Sequence, residues 1–211
     1  AAVTVESGSL AKLLSACVFP AGLSMVILAG SELFTGNCLM VMALLERRIT
    51  PAQLLRNWLT VYLGNAVGGA AVAALAVYSH TASLFGDGLA RSMASIAESK
   101  AALGFGDAFL RGVLCNFRVC PAVGMAAASK RAEGKVIALF FPILLFVLCG
   151  YEHCIANLYY LPAGAFAAAE YGMETTLTLA GCLKNLAAVT LGNLVGGAAL
   201  GVGHRFAYLK E

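Results

Sequence analysis

Charge is scarce in this sequence. Asp, Glu, Lys and Arg make up 12% of its 211 residues, against about 25% in soluble domains. That is too little polar surface to face water on all sides, which excludes an ordinary soluble enzyme or binding module. Seven cysteines are present, but Cys115 and Cys120 lack the spacing of a zinc or redox pair. Cys17, Cys38, Cys115, Cys149 and Cys154 lie in or beside apolar runs, where cysteine acts as a small hydrophobe. No disulfide, metal or cofactor is expected. No signal peptide is recognisable, and the sequence opens at Ala1 rather than Met. The net charge is +3 and the pI about 8.5. The basic residues flank apolar spans instead of forming a patch, so no nucleic-acid partner is expected.

Apolar sequence is abundant. Hydrophobic residues reach 60% and the mean hydropathy is +0.83. A spanning helix needs about 20 mostly apolar residues, and spans are predicted at 11–45, 57–79, 105–129, 136–169 and 177–203. Two of these are too long and are interrupted. In the first, Leu13–Ala29 meets the octet GSELFTGN (Gly30–Asn37) before Cys38–Leu45. In the fourth, Val136–Cys149 meets GYEHCIAN (Gly150–Asn157) before Leu158–Ala169.

The octets share Gly, Glu and Asn at matching positions, and Phe-Pro precedes each, at Phe19-Pro20 and Phe141-Pro142. LGNAVGGA (Leu63–Ala70) and LGNLVGGA (Leu191–Ala198) agree at seven of eight positions. The offsets are 120 and 128 residues, so the chain carries an internal repeat. The later copy has three spans and the earlier only two. The repeat therefore predicts a further helix upstream of Ala1, with five of six spans in a single transmembrane domain over 1–211. Copies of three spans run in opposite directions, an inverted repeat whose broken helices meet near the bilayer midplane.

With alternating spans, one face collects Arg47, Arg48, Arg56, Lys130, Arg131, Lys135, Arg205 and Lys210. The other collects Lys12, Arg91, Lys100 and Lys184, diluted by Asp87, Glu98, Glu170 and Glu174. The positive-inside rule makes the first face, with the C-terminus, cytoplasmic.

Unwound backbone in a membrane must be buried in protein or line a cavity. Where a helix restarts, its first N–H groups and its dipole present positive potential. Two such restarts predict an anion site, and glycines at 30, 36 and 150 allow tight turns. Glu32 and Glu152 are expected to accept hydrogen bonds from their own loops, and Asn37, Asn157 and Asn65 to satisfy loop backbone. Asn193 and His153 are placed at the pore. His153 is the one histidine within a predicted span and sits at a break. Ionisable groups there are functional candidates, and imidazole titrates near neutral pH.

The motifs GSELFTGN, RGVLCNFRVC (Arg111–Cys120), GYEHCIAN and VTLGNLVGG (Val189–Gly197) resemble those of the formate/nitrite transporter family. The resemblance covers the whole chain. It implies an aquaporin-like all-α protomer, a homopentamer in the cell membrane, and one pore per protomer for formate, nitrite, hydrosulfide or a related weak-acid anion. It also implies that His153 is the central pore histidine, with Thr35 and Asn193 beside it, and that Lys100 in an outer loop attracts anions. Phe19, Leu23 and Phe146 match an outer constriction, and Leu33 and Phe34 an inner one. Periodicity alone would make Phe19, Leu23 and Phe146 core residues. The stretch NLYYLPAG (Asn157–Gly164) resembles formate-type members most, so formate is the expected substrate.

Phe117-Arg118-Val119-Cys120-Pro121-Ala122 departs from the family's Trp-Leu-Val-Cys-Leu-Ala. Arginine at mid-span is costly unless paired or wet, so Arg118 is expected to meet a carboxylate or a subunit contact. Pro121 is expected to disrupt its helix. Two rival readings fit less of the sequence. A water- or polyol-type channel would carry Asn-Pro-Ala at the breaks, and no such motif occurs. An intramembrane enzyme using His153 with Cys149 or Cys154 would need a base, an orienter and an oxyanion site together, and the repeat supplies no second histidine, cysteine pair or cofactor motif. A non-enzymatic channel is the expectation.

Overall fold

The computed structural model describes residues 6–208, and every regular element among them is helical. Helix α1 (Gly8–Val18) runs into α2 (Pro20–Ala29) through a helical Phe19. The pair makes one apolar stretch of 22 residues, Gly8–Ala29. After a break come α3 (Phe34–Asn37), a 3-10 turn at Cys38–Met40 and α4 (Val41–Leu45). Helices α5 (Pro51–Tyr78), α6 (Gly88–Ala102) and α7 (Phe105–Ala128) follow. The second broken helix is α8 (Ala132–Leu148) and α9 (Cys154–Glu170), and α10 (Leu179–Tyr208) closes the chain.

Three stretches are individually long and apolar enough to cross a membrane: Gly8–Ala29, Pro51–Tyr78 and Leu179–Tyr208. Asp107, Arg111, Asn116 and Arg118 make α7 more polar than these, and α8 and α9 are 17 residues each because the break divides them. Helix α5 begins six residues before its predicted start. Thr50 and Gln53 form a reciprocal capping box and Pro51 occupies the first turn, so capping carries the helix past the polar Arg56 and Asn57. The expected disruption at Pro121 does not occur. Helix α7 is continuous through it, and Pro142 and Pro162 are likewise inside helices. Neighbouring helices in a bundle supply partners for the groups that proline frees.

Both breaks are built alike. Gly30 and Gly150 take left-handed φ of 72° and 70°, a conformation that costs glycine little. Ser31 N–H then reaches back to Val26 O at 2.9 Å and Tyr151 N–H to Phe146 O at 3.1 Å, the bond that closes a Schellman end. The two copies differ in how their last helices are packed. In the later copy α10 lies against α7, and Gly192 and Gly196 bring its backbone onto the carbonyls of Phe109 and Val113. Their repeat partners on α5, Gly64 and Gly68, have nothing within 4 Å of an added Cβ. They line an apolar groove of about 720 Å³ between α1/α2 and α5.

Candidate anion pathway

The asparagine of each LGN motif bridges a break. Asn65 Oδ1 accepts from Phe34 N–H at 3.1 Å, and its amide donates to Glu32 O at 3.2 Å. Asn193 Oδ1 accepts from Cys154 N–H at 2.8 Å, and its amide donates to Glu152 O at 3.0 Å and to Gly112 O at 2.8 Å. The first N–H of each restarted helix is therefore occupied, and what reaches the site from there is the dipole's field. Asn193 is fully buried and, unlike His153, is not among the residues lining the cavities at the breaks. Every polar end of its side chain is used on backbone.

A second asparagine layer repeats in the same register. Glu32 accepts from Asn37 Nδ2 at 2.7 Å and from Asn57 Nδ2 at 3.0 Å, while Asn37 also donates to Asn57 Oδ1 at 2.9 Å. Glu152 accepts from Asn157 Nδ2 at 2.7 Å, and Asn157 donates to Asn185 Oδ1 at 2.8 Å. Asn57 and Asn185 were missed in the sequence, although their 128-residue offset is that of Asn65 and Asn193. The copies differ in one respect. Glu152 is 5% exposed and receives Lys100 Nζ at 2.9 and 3.1 Å, whereas Glu32 is exposed with no ion-pair partner among the described residues. Lys100 is not on a free outer loop. It lies on α6 with its side chain 16% exposed, and Glu152 offsets its charge.

His153 caps α9. Its Nδ1 accepts from Ala156 N–H at 3.0 Å, and its Nε2 is 2.9 Å from Thr35 Oγ1. An acceptor Nδ1 carries no proton, so this geometry is that of the neutral imidazole protonated on Nε2 and donating to Thr35. Thr35 is fully buried, and its carbonyl accepts from Asn116 Nδ2 at 3.2 Å. One side chain from each broken helix thus meets at the junction of the copies.

Phe19 and Phe146 pack edge to face with centroids 5.4 Å apart, and the Phe146 ring lies 5.9 Å from His153. This group is shared by two spaces. One is a cavity of about 900 Å³ that also reaches Lys12, Lys100, Tyr151 and Tyr160. The other is the groove, which also reaches Leu23 and Leu33. Phe34, expected at an inner constriction, is 4% exposed and packs edge to face on Trp58 and Tyr62, so it is core. A third cavity, about 550 Å³, opens beyond α3 and is lined by Asn37, Glu46, Arg48 and His204. The cavity residues could pass a small solute between aromatic rings beside a polar centre. Among the described residues no three His, Cys, Asp or Glu side chains are grouped to hold a metal.

A sequence model of the formate/nitrite transporter family matches residues 1–207. The formate channel FocA of Haemophilus influenzae is 38% identical over 211 residues, spanning 93% of this chain and 74% of that protein. A probable formate transporter of Methanothermobacter thermautotrophicus is 38% identical over 96% of this chain and 77% of its own length. Among solved structures, a pentameric formate channel with formate bound superposes with a TM-score of 0.85 at 30% identity, covering 99% of this chain and 87% of that one. An ion channel of the same family gives 0.87 at 31% identity, covering 97% and 80%.

Proposed function

This chain belongs to the formate/nitrite transporter family, and from that premise we propose that it conducts formate across the cell membrane as a homopentamer with one pathway per protomer. The observation that carries the reading is the Thr35–His153 pair set against the Phe19–Phe146 rings where the two broken helices meet. A bare carboxylate pays heavily to leave water for an apolar ring. Just past the ring His153, which lines both spaces, returns a hydrogen bond to it by sharing its Nε2–H between buried Thr35 and the anion, and the α9 dipole favours its charge. Neutral His153 serves as donor, and its protonation would require breaking the Ala156 bond to Nδ1. The C-terminus is cytoplasmic in this reading, on the face with Arg47, Arg48, Arg131 and Arg205.

The groove beside α5 supports the further helix that the repeat calls for. A helix placed there as α7 is placed on α10 would meet Gly64 and Gly68 and cover exposed Glu32.

The test is uptake of labelled formate, nitrite and hydrosulfide by proteoliposomes holding native protein or the His153→Asn variant. Asparagine still caps a helix, so the fold is retained. Formate flux should be saturable and exceed nitrite flux, and should fall about 10-fold or more in His153→Asn, the loss of a hydrogen bond to a charge. Faster nitrite than formate would overturn the substrate assignment.

A further inference from the structure

The larger cavity holds two lysines, and only one of them is neutralised. Lys100 is bound to both oxygens of Glu152, so the pair adds little net field to the space in front of it. Lys12, on α1, lines the same cavity and is exposed. Among the described residues, no carboxylate lies within ion-pair distance of it. Its ammonium stands against the second break, since a Cβ added at Gly150 would come to 3.5 Å from Lys12 Nζ. That is the approach to Phe19, Phe146 and His153, which line the cavity with Lys12. The one carboxylate among the lining residues is Glu6, before the start of α1.

We propose that Lys12 is the capture residue for the entering anion, holding the carboxylate beside the Gly150 turn before it reaches the Phe19–Phe146 rings. An ammonium on a flexible stem suits this step, because it is a compact charge with three rotatable donors and keeps its water. It can accept a hydrated carboxylate and release it without the fixed geometry of a guanidinium fork. Lys100 then has a different task. It holds Glu152, and through Asn157 and Asn185 the shape of the break. The inference rests on the formate reading above. Its rival is that Lys12 merely anchors α1 at the membrane surface, where a lysine is common.

Initial formate flux separates the two. It is measured in vesicles of uniform orientation carrying the full-length protein, across formate concentrations that span saturation, at about 0.01 M and about 0.15 M salt, where the Debye length is about 30 and 8 Å. Lys12→Gln should raise the half-saturating concentration roughly 5- to 10-fold at low salt, with maximal flux within about two-fold of native. The shift should shrink at the higher salt, deepen in Lys12→Glu and largely disappear in Lys12→Arg. A native half-saturation in both Lys12→Gln and Lys12→Glu overturns the proposal. So does a fall in maximal flux alone that Lys12→Arg does not rescue, which marks a structural anchor. A native protein without saturable formate flux overturns the formate reading itself, and this inference falls with it.

Discussion

Single residues in this fold are read by what their polar atoms already hold. Asn193 and Lys100 both look available in the sequence, and both are committed, one to three backbone groups and the other to Glu152. Glu98 shows the same logic outside the spans. On α6, it accepts from Thr175 Oγ1 at 2.7 Å and Thr176 N–H at 2.8 Å, tying the segment between α9 and α10 to the helix that carries Lys100. The Thr175 hydroxyl first, and then the Thr176 amide, hold its carboxyl below the ordinary carboxylate range. A lowered folded pKa means that the ionised form makes the contact. The contribution is complete above the unfolded value, near 4.3, and is lost as pH falls through the folded one. Hydrogen exchange at the Thr176 amide, corrected for its intrinsic rate, should show steady protection from neutral pH down to the unfolded value and lose it only as pH falls below that. Glu98→Ala should lack that protection throughout, and a pH-independent native signal would mean that Glu98 does not hold the amide.

At the scale of elements, what decides packing is how closely backbones approach. Gly192 and Gly196 let α10 touch α7, and small residues serve this purpose in membranes, where dispersion and close contact replace the hydrophobic drive. A Cβ at Gly196 would collide with Val113 backbone, which cannot swing aside. Gly196→Ala should therefore destabilise the protein by about 1–3 kcal/mol, seen as a lower unfolding midpoint in detergent. Gly68→Ala meets open space in residues 6–208. In the full-length protein, with the proposed helix seated in the groove, it should cost as much as Gly196→Ala. Equal stability of Gly68→Ala and native full-length protein would leave the groove without that helix.

For the whole molecule, the informative feature is a charge on the outside. Arg118 lies near the middle of α7, between Asn116 and Cys120, both of which reach Thr35 O. It is thus level with the junction of the broken helices, and it is exposed. No carboxylate of the described residues pairs with it, so the expected carboxylate partner is absent within the protomer. A guanidinium facing lipid at that depth is costly, and a subunit contact remains the economical solution. Arg118→Leu should weaken the proposed pentamer by about 1.5–3 kcal/mol per contact, the worth of a charged hydrogen bond. The readout is the temperature at which pentamer gives way to monomer in native mass spectra. An unchanged or higher temperature would place this face against lipid or the central lumen.

The sequence by itself determined the architecture. Hydropathy, the two octets and the LGN motifs required two broken helices in an inverted repeat, because a hydrocarbon solvent leaves polar backbone no other place to go. It also singled out His153, the one histidine within a predicted span, whereas Thr35 came only from the resemblance to the family. Only the tertiary structure decided which side chains line the cavities and which are committed to neighbours. Asn193 and Phe34 turned inward, Lys100 found Glu152, and α7 ran straight through Pro121. Each outcome depends on what stands opposite across the bundle, on another copy or another helix, and hydrogen bonds and ion pairs are settled by that neighbour at about 3 Å. A residue's own position in the chain does not specify it.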